Sequence, residues 1–506
     1  MKSIAPELGS PDFVPERALD GASRKIKMRM LVICQIFGLA ALAVVVYAAG
    51  GNNYRILKYV AFFAPMILII PKPNLIPYFF ILSFFTVLPV YVNGLAFSVF
   101  VTDVMFLLII IAFFSNRKNI DLKAAFEKQR FLATSLIVFV LWAIFGFFVN
   151  FYTRSGFENM ASLLYIYNFF VMTVMVILFS LSQWKEHRDK FIRFYVICSF
   201  CEIVVALMIE VLHGARTFSD FHKFTGTLGV NHGLMGIFLV LSFGVASCAF
   251  FELRGKTERL FSLFVAFLSV GALLLSGSRG VILGILLAIP VFIVLFVRAR
   301  WIISAAVLTA VTVFVLVDFS PQNISKITNV ATRVLLRPAM NSASSVDMSA
   351  YGRFLIWERV YEHAMYGPWA QKIIGIGVGS FTTLKFSYYL EAGTFTTGAH
   401  NNFLHVFVEA GIVGIIIFAA IFISIIRKLL LKSRYQNNAA KCFILCTLIL
   451  LFSGLTQETF WFNGAFGRFW FHYMFFYLMI FNFQDEERFV LKKEGENEIA
   501  YRKADF

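Results

Sequence analysis

Apolar runs recur along almost the whole chain, near 30–49, 56–70, 75–92, 96–114, 131–149, 163–181, 194–212, 233–251, 260–275, 281–297, 302–318, 403–426, 442–456 and 467–483. Crossing a bilayer takes about 20 apolar residues in a helix, because hydrocarbon offers no partner for an open backbone amide. The runs therefore predict an all-α polytopic membrane protein with about 14 (12–14) transmembrane helices. Composition agrees, since 59% hydrophobic and 15% charged residues are far from the balance of a soluble domain. The runs at 56–70 and 442–456 are the shortest.

Charge checks the count, because Lys and Arg accumulate in alternate, cytoplasmic loops of a correctly counted bundle. With the N-terminus inside, the inner segments carry 31 of the 45 basic residues, and seven of the others fall in the single long outer loop, 319–402. The expected organisation is a cytoplasmic tail at 1–29, a membrane domain at 30–483 that includes this loop, and a cytoplasmic tail at 484–506. The net charge of +16 then needs no nucleic acid; it reflects topology and contacts with anionic membrane lipids. Residues 1–25 are polar and proline-bearing with no apolar centre, which excludes a cleaved signal peptide. Of six cysteines, Cys198 and Cys201 have CxxC spacing without a second pair or a histidine cluster, so a buried structural role is expected.

The outer arginines Arg216, Arg279, Arg333, Arg337, Arg353 and Arg359 stand out, because insertion does not favour positive charge on that side. Arg279 lies in SGSRG, Ser276–Gly280, between two apolar runs. Small residues there can end one helix and start the next, with free amides, a positive dipole end and a guanidinium fork facing a phosphate. An arginine snorkelling from a tight turn is the plain alternative. Tyr351–Met365 (YGRFLIWERVYEHAM) reads as an amphipathic helix whose Phe354, Trp357, Val360, Tyr361 and Met365 lie against membrane or bundle. Arg353 is the functional candidate there, whereas Arg359 is flanked by Glu358 and Glu362 and suits a solvated pair.

The segment GIGVGSF, Gly375–Phe381, lacks both nucleotide-loop signatures, so it reads as a backbone turn pressed against substrate or bundle. In AHNNFLHVFVEAGIVG the chain re-enters the bilayer, with His400 and Asn401 at the mouth and Gly411 and Gly414 permitting close helix contact. Neutral imidazole can accept a proton from a hydroxyl nucleophile; a histidine satisfied at the lipid interface is the alternative. His400 and His405 are five apart, which does not suit zinc. Glu409 lies deeper and is costly unless paired or hydrated. TGTLGVN, ending at Asn231, offers small residues and an amide to a sugar or phosphate. Asp103, Glu202 and Glu210 fall in or near runs, as proton-linked groups or as helix–helix hydrogen-bond partners.

In their order, GTLGVN, SGSRG, YGR, GIGVGSF and HNNFLHVFVEAGIVG, from about Phe224 to Gly414, resemble the bacterial O-antigen ligase and polysaccharide polymerase superfamily. The resemblance implies a GT-C-like membrane glycosyltransferase that needs neither metal nor other cofactor. It would move a glycan from an undecaprenyl diphosphate carrier to a glycan or lipid A-core acceptor, at the outer face of the bacterial inner membrane. Arg279 and Arg353 match the arginines that grip the diphosphate, and His400 the histidine at the reacting centre. Arg216 is a further phosphate contact without a firm motif match, and Asn231 and Asn401 are expected beside the glycan. An envelope polysaccharide assembly complex is the implied wider partner. The N-terminal part, to about residue 220, carries no motif of the family, and ligase, polymerase and protein-glycosylating roles stay open. A polysaccharide flippase would instead place charges at mid-membrane on several helices. A non-catalytic assembly protein would tolerate loss of Arg279 and His400.

Overall fold

The computed structural model describes residues 76–85, 89–91, 98–100, 126–127, 129–154, 156–179, 187–212, 232–276, 278–296, 348–381, 398–434, 437–457, 459–460 and 464–481. The helices in these stretches are α1 (Ile76–Phe85), α2 (Arg130–Asn150), α3 (Gly156–Phe179), α4 (Arg188–Leu212), α5 (His232–Glu252) and α6 (Lys256–Leu275). They continue as α7 (Arg279–Phe296), α8 (Met348–Tyr366), α9 (Trp369–Ile374), α10 (Asn402–Arg434), α11 (Asn438–Ser453) and α12 (Gly464–Phe481). Among the described residues six helices are long and apolar enough to cross a membrane, namely α2 to α6 and α10. The chain is a polytopic membrane protein. The expected runs at 30–49, 56–70 and 302–318, both tails, Arg216, Asn231, Arg333, Arg337 and Asp103 lie outside the described residues.

Two expected runs differ in the structure. The segments 75–92 and 96–114 read as spans, yet α1 is Ile76–Phe85 and Pro89–Tyr91 pairs antiparallel with Ser98–Phe100, Val90 opposite Val99; the remainder of 96–114 past Phe100 lies outside the described residues. Pro89 has no amide for a helix and disfavours helical backbone at the preceding residue. Val90 and Tyr91 suit a strand.

The bundle is built around α5, whose apolar stretch is 83% buried. It packs against α4, α6, α7, α11 and α12. Such enclosure requires small residues where backbones meet, since lipid gives helices no hydrophobic reason to associate and contact itself must hold them. At Gly284 of α7 an added methyl would lie 2.6 Å from the Ile449 carbonyl of α11, and at Gly244 of α5 2.7 Å from Cys446 Cβ. Gly284 lets α7 lie directly on Ile449 and Ser453 of α11, and Gly280 lies against Thr456 just beyond that helix.

Several polar groups inside the bundle pair across helices. Ser242 donates to Ser199 at 3.1 Å and meets Tyr195 Oη at 3.3 Å, joining α5 to α4. Tyr473 Oη and Thr447 Oγ1, 2.8 Å apart, join α12 to α11. A second group lies at the end where α4 starts and α5 passes into α6: Arg188 reaches Glu252 at 3.2 Å, and Arg193 reaches Glu258 at 3.1 Å. Arg188, Arg193 and Glu258 belong to segments 182–193 and 253–259, which the charge alternation puts on one side of the membrane, and Glu252 immediately precedes the second. Their contact agrees with that pairing. The five recognisable cysteines of the described residues carry no disulfide, and Cys446 donates instead to the Val240 carbonyl at 3.4 Å.

Candidate functional site

At the opposite end of α5 and α6 the sequence motifs converge. Helix α6 stops at Leu275; Ser276 caps it, its hydroxyl donating to the Leu273 carbonyl at 2.7 Å, and α7 begins at Arg279. The SGSRG segment is thus a tight turn from one helix into the next, as its small residues suggest. Ser278, 2% exposed, lies against Gly236 of α5, and Gly280 lies against Thr456. Thr456 belongs to the connector after α11, Gly454–Phe460, which turns on short hydrogen bonds from Gly454, Leu455, Thr456 and Gln457 back to the helix end.

The same connector holds the other motif. The Asn402 amide donates to the Gly454 carbonyl at 2.7 Å, Asn402 Nδ2 donates to Thr459 Oγ1 at 2.7 Å, and Asn402 Oδ1 accepts from the Phe460 amide at 3.2 Å. Asn401 Nδ2 donates to the Leu455 carbonyl at 2.8 Å, while its Oδ1 accepts from the amides of Phe403 and Leu404 at 2.9 and 3.1 Å. That second pair is an N-cap, satisfying amides that begin a helix without an internal partner. His400, half-buried, sits at the corner with a φ of 49°, a left-handed backbone that costs a non-glycine residue roughly 1–2 kcal/mol. Residues in such conformations cluster at sites where the surrounding structure over-determines them.

Helix α10 is two helices. At Gly411 the backbone takes φ 69° and ψ −171°, a combination reserved for glycine. The expected continuous run 403–426 is therefore broken after a short first half. Both glycines also admit close helix contact, as expected: an added methyl at Gly411 would meet the Ile373 carbonyl of α9, and one at Gly414 would meet Ala410 Cβ and lie 3.9 Å from Trp142 Nε1 of α2. A broken helix leaves carbonyls without partners. Here Val408 accepts from the Ile376 amide at 2.9 Å, Glu409 from the Gly377 amide at 2.8 Å, and Ala410 from Trp142 Nε1 at 2.8 Å. The Glu409 carboxylate accepts from the Phe381 amide at 2.9 Å and lies 3.2 Å from His405 Nε2, both side chains being enclosed. This pairing answers the cost of burying Glu409.

The donors at the break come from GIGVGSF, whose Gly375, Gly377 and Gly379 all have positive φ. The segment is a clamp between helices, so of the two readings open in the sequence the structure shows contact with the bundle. Gly377 has no room for a side chain because the Arg154 guanidinium lies there. Helix α8 closes the other side: Ile356 and Val360 are buried with Ala399 and Val408, and Trp357 Nε1 donates to the Ala399 carbonyl at 2.9 Å. Tyr361 and Met365, which share the expected apolar set, point away and are 59% and 53% exposed. Arg353 lies in α8 one turn before Ile356 and Trp357. Arg359 pairs with Glu362 at 2.5 Å, as its neighbours suggest. Further along α8, burial and the nearby Lys372 ammonium hold His363 below the usual histidine range. Glu202 and Glu210 are buried on α4, apart from these motifs in the chain. Among the described residues, no group of three or more His, Cys, Asp or Glu side chains could hold a metal ion.

Several residues that organise this end have no prominence in the sequence. Arg154 and Ser162 hold the glycine clamp, Trp142 caps the break at Ala410, Thr456 meets Gly280, and Gly454, Leu455 and Thr459 support the His400 corner. The available signal was Arg154, a positive residue in a loop that the charge alternation assigns to the sparsely charged side.

Among the described residues, a bundle of apolar helices with its polar motifs gathered at one end defines an integral membrane protein. Residues 264–419 match the family model described as O-antigen ligase. This match, from α6 into α10, spans the SGSRG, YGR, GIGVGSF and HNNFLHVFVEAGIVG motifs and supports the resemblance to the O-antigen ligase and polysaccharide polymerase superfamily. No curated protein matches the chain.

Proposed function

We propose that the protein transfers a glycan from a polyprenyl diphosphate carrier, undecaprenyl diphosphate in bacteria, to an acceptor hydroxyl at the outer face of the inner membrane. The observation that carries this reading is that one connector, Gly454–Phe460, receives both the turn into Arg279, at Gly280, and the corner that presents His400, at Asn402. The helix that starts at Arg279 and the residues that follow His400, both within the region of the family match, thereby meet one short segment.

The chemistry follows from the groups. The start of α7 and the guanidinium of Arg279 form a site for phosphate, since helix N-termini and arginine forks both favour anions. With Arg353 they would balance the charge that develops on the diphosphate as its bond to the anomeric carbon breaks. The acceptor oxygen forms the new bond to that carbon, and His400 takes or directs the hydroxyl proton. Arg216, Asn231 and Asn401 complete the proposed contacts with donor and glycan. A displacement of this kind inverts the anomeric centre. It needs no cofactor.

The rest of the proposal is topological. Fourteen spans with a GT-C-like arrangement, cytoplasmic tails at 1–29 and 484–506, and the loop 319–402 facing outward would put this site on the side where carrier-linked glycan waits. Ligase and polymerase share the donor half and differ in acceptor. An ion-coupled transporter would use unpaired carbonyls at a broken helix to hold its ion; those of Val408, Glu409 and Ala410 already accept from Ile376, Gly377 and Trp142. The test is transfer by the purified protein from a carrier-linked oligosaccharide, with lipid A-core and a second carrier-linked repeat as competing acceptors. Product with either supports the reading and names the branch; no product with any hydroxyl acceptor sinks it.

A further inference from the structure

We propose that Arg154 is a positioning residue for His400, an assignment that rests on the transferase reading above. Arg154 follows α2 and a single 3-10 turn, Phe151–Thr153, and lies outside the region matched by the family model. Its half-buried guanidinium donates to Ser162 Oγ at 2.7 Å, to the Gly146 carbonyl at 3.3 Å and to the Ile376 carbonyl. Ser162, wholly buried on α3, in turn donates to the Val378 carbonyl. Two successive loop carbonyls at alternate positions are thus fixed from α2 and α3.

The other edge of that loop carries the consequence. Ile376 and Gly377, fixed through Arg154, donate their amides to Val408 and Glu409 at the end of the first half of α10. His400 stands at the opposite end of the same half-helix, held at Asn401 and Asn402. The half-helix therefore has two attachments, the connector at its start and the glycine clamp at its end. Arg154 secures the second. Gly377 is required because any side chain there would occupy the guanidinium's place. A lysine could not replace Arg154, since its single ammonium lacks the planar fork that spans Ser162 and Ile376.

Misplacing a reacting group by about 1 Å can cost on the order of 100-fold in rate. The expected result for Arg154→Ala in purified, detergent- or nanodisc-embedded protein is a kcat about 10- to 100-fold lower with the donor KM within about threefold of wild type. Millimolar guanidinium ion should restore part of that kcat, and urea at the same concentration should not. An unchanged kcat overturns the proposal, as does a raised donor KM at unchanged kcat, which would make Arg154 a donor ligand. Absence of guanidinium rescue counts against it too. Should Arg154→Ala fail to insert, Ser162→Ala is measured instead; a kcat within twofold of wild type overturns the inference. Wild-type protein that transfers nothing defeats the transferase reading. The clamp is then judged by hydrogen exchange over residues 376–381, which Arg154→Ala should accelerate, and unaltered exchange defeats the positioning role.

Discussion

The Asn402 amide donates to the carbonyl of Gly454 at 2.7 Å, across 52 residues of sequence and from the start of one helix to the end of another. With its side chain on Thr459 and Phe460, Asn402 makes the connector and the His400 corner one unit. Replacing it by Ala leaves the Phe460 amide buried without its partner, at a cost of about 1–3 kcal/mol, while the Thr459 hydroxyl keeps its bond to the Leu450 carbonyl. Asn402→Ala should lower the thermal midpoint in detergent by several degrees and reduce transfer. An unchanged midpoint would separate the corner from the connector.

His400 supplies a different signature, because its backbone is strained while its ring is proposed to react. Glycine adopts a φ of 49° without the side-chain penalty. His400→Gly should therefore abolish transfer while raising the thermal midpoint, and His400→Ala should abolish transfer without that gain. Activity retained in either variant removes His400 from the chemistry.

Arg279→Ala and Arg353→Ala test the donor side. Each should reduce transfer by about 100-fold or more, the scale seen when a charge-stabilising donor is removed from a reacting centre, with membrane insertion unaffected. Rates near wild type in both would leave the diphosphate to other groups.

The break in α10 rests on Gly411. With φ 69° and ψ −171°, any other residue is strained whatever space it has. Gly411→Ala should straighten or destabilise the helix, release the carbonyls capped by Ile376 and Gly377, and expose residues 375–381 to hydrogen exchange. Unaltered exchange there would show that the break does not depend on glycine.

His363 makes a pH prediction. Burial and Lys372 lower its folded pKa, so the unfolded chain binds the proton more readily. Its contribution to stability is present above the unfolded value of about 6.5 and is lost as pH falls through that value toward the folded one. The fall in thermal midpoint from pH 7.5 to 5.5 should be smaller in His363→Gln than in wild type. Equal slopes would remove His363 as a contributor.

Much of the bundle was legible in hydropathy. The runs 131–149, 194–212, 233–251 and 260–275 correspond to helices Arg130–Asn150, Arg188–Leu212, His232–Glu252 and Lys256–Leu275. The SGSRG turn fell where small residues put it. The break at Gly411 was hidden because glycine in an apolar run equally suits close helix packing, and the deciding hydrogen bonds come from residues 376 and 377. Arg154 sat in a short polar turn that topology alone explains. Its partner at Ile376 is 222 residues away, and no local pattern encodes such a contact. The connector Gly454–Phe460 was obscure for the same reason, since its meaning lies in Asn402 and Gly280.

The capped break has a mechanical consequence for a protein that works in lipid. Bilayers of different thickness tilt a spanning helix to match its apolar length. In a continuous helix that tilt would carry the His400 corner with it. Here the first half of α10 is tied to the clamp and the connector, and the chain bends at Gly411, with Gly414 against Ala410 and the rings of Phe403 and Phe418 6.4 Å apart across the bend. A change in tilt of the spanning half thus has a bend and two fixed attachments to pass before it reaches His400.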